Sequence, residues 1–367
     1  MRYERFAGER SNTMFQRILV PLDGSEGAER AIPVAARIAR TSGASIVFIR
    51  VVPPPAWVGA FGVGVHGTVA VQPKVEATEK DLADATTYLE AITTAYAGDL
   101  VGLNTEIDVA TGVASPTIFS SARDEYVDLI VMCSHGETGL KRWVLGSVAQ
   151  QAVRHSPVPV LVLNEHGMVS SAPEATHPLR ALVALDGSAL AETALEPAAQ
   201  LIAALSGSAE GEVHLLRVVD LPSAYGKMKS QAYISDSMQE EARQEAEQYV
   251  KAVTDRLHEG PFAAFKLNIT SSVVVSTDVA GTIIKQAEQA KSAERSTRFD
   301  MIALATHGHG GLRRLVMGSV TEHILGATRL PLLIVRPREV ETAGDESGST
   351  SQVEGTEVEI QTWAGIL

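Results

Sequence analysis

A single cysteine, Cys133, occurs in the 367 residues. That excludes an intramolecular disulfide or a cluster of cysteine thiolates around a metal, and it suits a reducing compartment. Long apolar runs are also missing: none approaches the roughly 18 residues of a membrane span, so no membrane role is expected. Positive charge is scarce, with 31 Lys and Arg against 44 Asp and Glu and a formal net charge of -13. Nucleic-acid binding through the phosphate backbone needs clustered Lys and Arg, so no nucleic-acid partner is expected. Neither a metal-ligand cluster nor a Ser-His-Asp arrangement at usable spacing is visible. The opening stretch MRYERFAGERSNTM lacks the apolar centre of a secretory signal, which makes the cytoplasm the expected location.

What the chain does contain is a repetition. SHGETGLKRWVLGSV, from Ser134 to Val148, recurs as THGHGGLRRLVMGSV, from Thr306 to Val320. ILVPLDGS at Ile18 to Ser25 recurs as ALVALDGS at Ala181 to Ser188, and each half closes on an apolar segment. A duplicated unit of this size is a domain, long enough to bury its own core. The expected organisation is an N-terminal extension over 1–15, domains over 16–164 and 179–337, a linker over 165–178, and a disordered tail over 338–367. The tail is rich in Gly, Ser, Thr and acidic residues with little to bury.

Within the first half the pattern predicts strands at Arg17 to Leu22, Ser45 to Val52, Thr105 to Val109, Asp128 to Met132 and Val158 to Leu163. Helices are expected at Glu26 to Arg40, Val75 to Tyr96, Ser115 to Tyr126 and Ser147 to His155. Pro53 to Gln72 is a Gly- and Pro-rich connection too long for a routine loop, read as a mobile segment or a cover. The second half runs in register, from a strand at Arg180 to Leu185 through to LPLLIV at Leu330 to Val335. Alternating strands and helices imply an α/β fold with a parallel sheet covered on both faces.

Open parallel sheets bind ligands at the carboxyl ends of the strands, where the strand order reverses. With five strands in the order 3-2-1-4-5, the first and fourth lie side by side at that crevice. LDGS then meets CSHG in the first half, and LDGS meets ATHG in the second. The chemistry suits a nucleotide. Gly136 and Gly146 bracket a loop ending in Gly-Ser at a helix start, where main-chain N–H groups and the helix dipole can receive phosphate oxygens, and Gly308, Gly318 and Ser319 repeat the spacing. Ser147 and Ser319 can add a hydroxyl. Asp23 and Asp186 end apolar strands, placing an acceptor for an adenine amino group or a ribose hydroxyl.

Each residue type also has a plainer role. Ser147 and Ser319 suit N-caps, Asp23 and Asp186 suit turns, His135 and His307 suit loop orientation, and Lys141, Arg142, Arg313 and Arg314 suit solvated helix faces. The joint recurrence favours a shared ligand, because core packing does not require identical Gly-Ser-Val spacing.

These residues resemble the universal stress protein family in its tandem, nucleotide-binding form, across about Gln16 to Pro337. The resemblance implies a Rossmann-like fold of the adenine nucleotide alpha hydrolase type and ATP, carried with Mg²⁺, in each repeat. It assigns Asp23, Val51, Gly136, Gly146, Ser147 and Val148 to the first site, and Asp186, Val218, Gly308, Gly318, Ser319 and Val320 to the second. Cys133 and Ala305 stand where the family's signature has its first glycine, Ala305 being the smaller substitute. The implied role is a cytoplasmic stress-response protein without a settled reaction of its own, with the repeats paired through their last strands as an internal dimer, a further homodimer and a protein partner left open. Two other readings stand beside it. One is an adenylate-forming or nucleotide-hydrolysing enzyme of the related fold, although LDGSEGAE lacks that class's paired glycines; the other is a scaffold with empty pockets.

Overall fold

A computed structural model of the chain describes residues 14–53, 79–134, 145–164, 178–220, 236–259, 261–288, 298–308 and 317–337. The connection after Pro53, the greater part of the linker, and the tail lie outside the described residues, as do His135, Gly136, Lys141, Arg142, Arg313 and Arg314.

In the first half the order is β1 (Arg17–Pro21), α1 (Glu26–Glu29), α2 (Ala31–Ser42), β2 (Ser45–Val52), α3 (Glu79–Ala95), α4 (Ala97–Leu100), β3 (Thr105–Thr111), α5 (Ala114–Asp124), β4 (Leu129–Cys133), α6 (Ser147–His155) and β5 (Val160–Leu163). The second half repeats it with β6 (Arg180–Leu185), α7 (Ala189–Glu192), α8 (Leu195–Ser206), β7 (Gly211–Asp220), α9 (Asp236–Glu259), β8 (Leu267–Ser276), α10 (Val279–Glu288), β9 (Met301–Ala305), α11 (Ser319–Ala327) and β10 (Leu332–Val335).

The strands are Val-, Ile- and Leu-rich because both of their faces are covered. Side chains alternate across the sheet, so neighbouring residues enter different cores. Ile18 and Val20 join the layer under α2 and α3, while Leu19 joins the layer under α5 and α6. All three are fully buried, each contributing about 1.5–3 kcal/mol of apolar burial. The starts of the inner strands are pinned by two equivalent carboxylates. Asp128 accepts the main-chain N–H groups of Gln16 and Arg17 at 2.7 and 3.2 Å, and Asp300 accepts that of Arg180 at 2.8 Å.

Each half has parallel strands in the expected order, β3-β2-β1-β4-β5 in the first and β8-β7-β6-β9-β10 in the second. The two sheets are not separate, however. β5 and β10 pair antiparallel, with Leu161 opposite Leu333, and the result is one ten-stranded sheet. Strands made only of Val, Leu and Ile would leave apolar edges open to pairing, and pairing them with each other removes both edges.

The helix expected over Glu26 to Arg40 is two helices, with α1 separated from α2 at Arg30. Pro33 explains the break: it donates no N–H to the carbonyl of Glu29, and its ring crowds that oxygen. Pro197 separates α7 from α8 in the same way, opposite Thr193.

Leu161→Ala should destabilise the protein by about 2–5 kcal/mol, because it opens a cavity at the seam between the halves. Urea denaturation followed by circular dichroism measures this, and a change under about 0.5 kcal/mol, the range of an ordinary surface substitution, would show that the seam bears little load.

Candidate functional site

β1 pairs with both β2 and β4, and β6 with both β7 and β9. After β1 the chain turns to the layer holding α2, and after β4 to the layer holding α6. The helices that follow these adjacent strands lie on opposite faces of the sheet, the arrangement that forms a crevice at the strands' carboxyl ends.

On one side of the crevice stands an aspartate turn. Asp23 Oδ1 accepts both the N–H and the hydroxyl of Ser25, at 3.0 and 2.6 Å. Ser25 Oγ in turn accepts the N–H of Ala28 at 3.1 Å, so that serine caps α1. Asp186, Ser188 and Ala191 repeat the three bonds at 2.9, 2.6 and 3.1 Å. Gly24 and Gly187 have φ of 95° and 88°, a left-handed geometry that favours glycine between the two side chains. The turn reading of Asp-Gly-Ser therefore holds. It occupies Oδ1 of each carboxylate, and Asp23 itself is exposed to solvent.

On the other side stands a helix start. Gly146 and Gly318 are the N-cap residues of α6 and α11, and no side chain caps either helix. Ser147 and Ser319 are thus the first helical residues rather than the caps, with exposed side chains. The N–H groups of Gly146 and Gly318 donate to Ser134 O at 2.7 Å and Thr306 O at 3.0 Å. This commits the glycine amides and leaves the N–H groups of 147–149 and 319–321 as the donors without an intrahelical acceptor. Val148 and Val320 pack against the second core, and Val51 and Val218 do the same from β2 and β7. Val218 is buried and the other three are partly buried, so what they can offer a ligand is main-chain groups. Thr321, also buried, ties α11 to Ala305 O at 3.2 Å.

The two sides meet in the second half. A Cβ at Gly308 would lie 2.7 Å from the Asp186 carboxyl carbon and closer still to Oδ2. A side chain there would have to displace the Asp186 carboxylate. His307 shares a 2.8 Å hydrogen bond with the Thr306 hydroxyl, in keeping with loop orientation. In the first half Cys133 ends β4, and burial pushes its thiol up to about 12, with Arg30 opposing the shift and Asp23 adding to it. The thiol stays protonated at neutral pH.

The sequence reading missed one group. Glu29 and Glu192 each follow their aspartate by six residues, and Arg50 and Arg217 each open an Arg-Val-Val triplet on the second strand. Tyr88 and Tyr249 complete the two sets, donating to Glu29 and Glu192 at 3.0 Å in both halves. Aligning the halves beyond the glycine loop would have exposed the first two positions.

The duplicated fold is shared with known proteins. The family model described as universal stress protein family matches residues 14–164 and again 179–336. A universal stress protein of Methanocaldococcus jannaschii is 29% identical over 152 residues, 41% of this chain and 84% of that protein. One from Mycolicibacterium smegmatis is 23% identical over 323 residues, 88% of this chain and 97% of that protein. Among solved structures, a universal stress protein from Archaeoglobus fulgidus superposes with a TM-score of 0.56 at 17% identity, covering 89% of this chain and 99% of the other, which shows the shared fold.

Gly308→Ala should cost about 1–3 kcal/mol through overpacking against Asp186. Added to Asp186→Ala the same change should cost less, and equal costs in thermal denaturation of the two backgrounds would remove the contact from the account. Alkylation of Cys133 should be slow at pH 7 and accelerate with pH toward about 12. A rate that levels off near pH 8 would contradict that burial.

Proposed function

The chain belongs to the universal stress protein family, and from that premise we propose that each half binds an adenine nucleotide, ATP, so that occupancy alters how the two-domain body engages a protein partner in the cytoplasmic stress response. The observation that carries the reading is a twofold recurrence at the crevice. In both halves a carboxylate turn after the first strand accompanies a glycine-capped helix start after the fourth.

The donor set fits the ligand. Main-chain N–H groups at 147–149 and 319–321 would receive phosphate oxygens, aided by the positive end of each helix dipole. Ser147 and Ser319 would add their exposed hydroxyls. Asp23 retains Oδ2 beside its turn for a nucleoside N–H or O–H, and in the second half Asp186 would leave Gly308 to do the same. The main-chain groups of Val51 and Val218 would border the base. Mg²⁺ would arrive with the nucleotide, held mainly by its phosphates.

The family reading does not require a reaction, and none is assigned. Among the described residues no helix is long and apolar enough to cross a membrane. The proposed cytoplasmic location rests on the single cysteine, Cys133, which suits a reducing compartment.

Mass spectrometry of freshly purified protein tests the proposal. Wild type should carry adenine nucleotide, Gly146→Glu and Gly318→Glu should each lose part of it, and the double variant should lose all. ATP at 100 times its Kd should also stabilise the wild type by about 2.7 kcal/mol. A nucleotide-free protein whose melting temperature ignores added ATP would favour an empty scaffold instead.

A further inference from the structure

The group missed by the sequence reading sits against the aspartate turn in both halves. Arg50 leaves the carboxyl end of β2, and its guanidinium carbon lies 4.5 Å from the centre of the Tyr88 ring on α3. Its two terminal nitrogens lie 3.1 Å from where a Cβ would stand on Gly24, the residue after Asp23. The cation therefore lies close to both an aromatic ring and the turn. Tyr88 is fixed by its 3.0 Å hydrogen bond to Glu29, which Tyr96 approaches at 3.5 Å. Burial, reinforced by Glu29, raises the Tyr88 phenol well above its ordinary range, so it remains a donor at physiological pH.

The second half repeats the group with different outer ties. Arg217 leaves β7 and reaches Leu185 O, the carbonyl before Asp186, at 3.5 Å. It is half-buried, which lowers its pKa, while Asp186 and Tyr249 act in the opposite direction. Tyr249 donates to Glu192 at 3.0 Å, and Arg256 holds the other carboxylate oxygen at 2.6 Å. A half-buried arginine is expensive to desolvate, and a purely apolar side chain would fill such a site more cheaply. Finding the same cation at both turns points to a use for its charge beside the aspartate.

We propose that Arg50 and Arg217 are positioning residues for the ligand-facing aspartates, Arg50 held against the Tyr88 ring and Arg217 against the Leu185 carbonyl, so that each guanidinium keeps the Asp-Gly turn in its binding shape. This rests on the function proposed above and adds a second layer to the same site. Through Tyr88, Arg50 also joins the turn to α3, the helix that follows the long connection after β2. Planar stacking and directed N–H groups suit arginine to this place, and lysine would keep only the charge.

A double-mutant cycle on the full chain tests the inference in the Gly318→Glu background, which leaves the first site. ATP affinity is measured by calorimetry for Arg50→Met, Asp23→Asn and the two combined, with the melting temperature of each nucleotide-free variant checking its fold. Arg50→Met should weaken ATP about tenfold. It should add little once Asp23→Asn is present, because the arginine acts through the aspartate. Arg50→Lys should recover part of the loss, and it replaces Arg50→Met in the cycle should the methionine variant not fold. Affinity unchanged by Arg50→Met, or losses that simply add, would overturn the inference while leaving ATP binding intact. A parent that binds no ATP would overturn both together.

Discussion

Leu161 and Leu333 face each other across the antiparallel pairing of β5 with β10, and the two halves form one body because of it. Each of these last strands is four residues long and buried along its length, so left alone it would expose a bare, apolar edge. Pairing satisfies the main-chain groups of both and continues the two apolar layers from one half into the other. α2 and α8 carry one layer across the seam, and the Arg154–Glu322 ion pair at 3.0 Å lies over the other. The sheet then ends at β3 and β8. Glu106 and Asp108 place charge along β3, a feature that discourages further pairing at that edge.

The same arrangement places two crevices at the carboxyl ends of the inner strands. At each, residues serve the fold and present chemistry together. Ser25 caps a helix while holding Asp23, and Gly24 supplies a backbone geometry that also lets Arg50 lie against the turn. A turn held by three local hydrogen bonds has little freedom to reorganise, which would lower the entropy lost on binding the proposed ligand. The helix starts opposite are built in the contrary sense. They lack side-chain caps, and their glycine amides are engaged behind them, so the following amides are left without an intrahelical acceptor.

Part of this was legible from sequence, and particular residues show where it stopped. The strands at Ile18 to Val20 and Ala181 to Val183 stood out as apolar runs, since burial on both faces leaves no polar alternation. Pro33 and Pro197 were equally visible, yet their helical surroundings masked the break that each imposes. Ser147 and Ser319 looked like caps because serine favours that position, and the glycine before each holds it instead. Gly308 looked like a phosphate-loop glycine, and the structure gives it a nearer reason in the carboxylate of Asp186.

The sequence alone determined the alternation of strands and helices, the duplication, and the Asp-Gly-Ser turns. These depend on side-chain periodicity or on hydrogen bonds spanning three residues or fewer, and such rules act wherever the local residues occur. The tertiary structure alone decided that two sheets become one, that Asp186 rests on Gly308, and that Tyr88 and Tyr249 reach Glu29 and Glu192 across 59 and 57 residues. Partners so distant in the chain meet through the packing of whole layers, and that packing leaves no periodic mark on the residues it brings together.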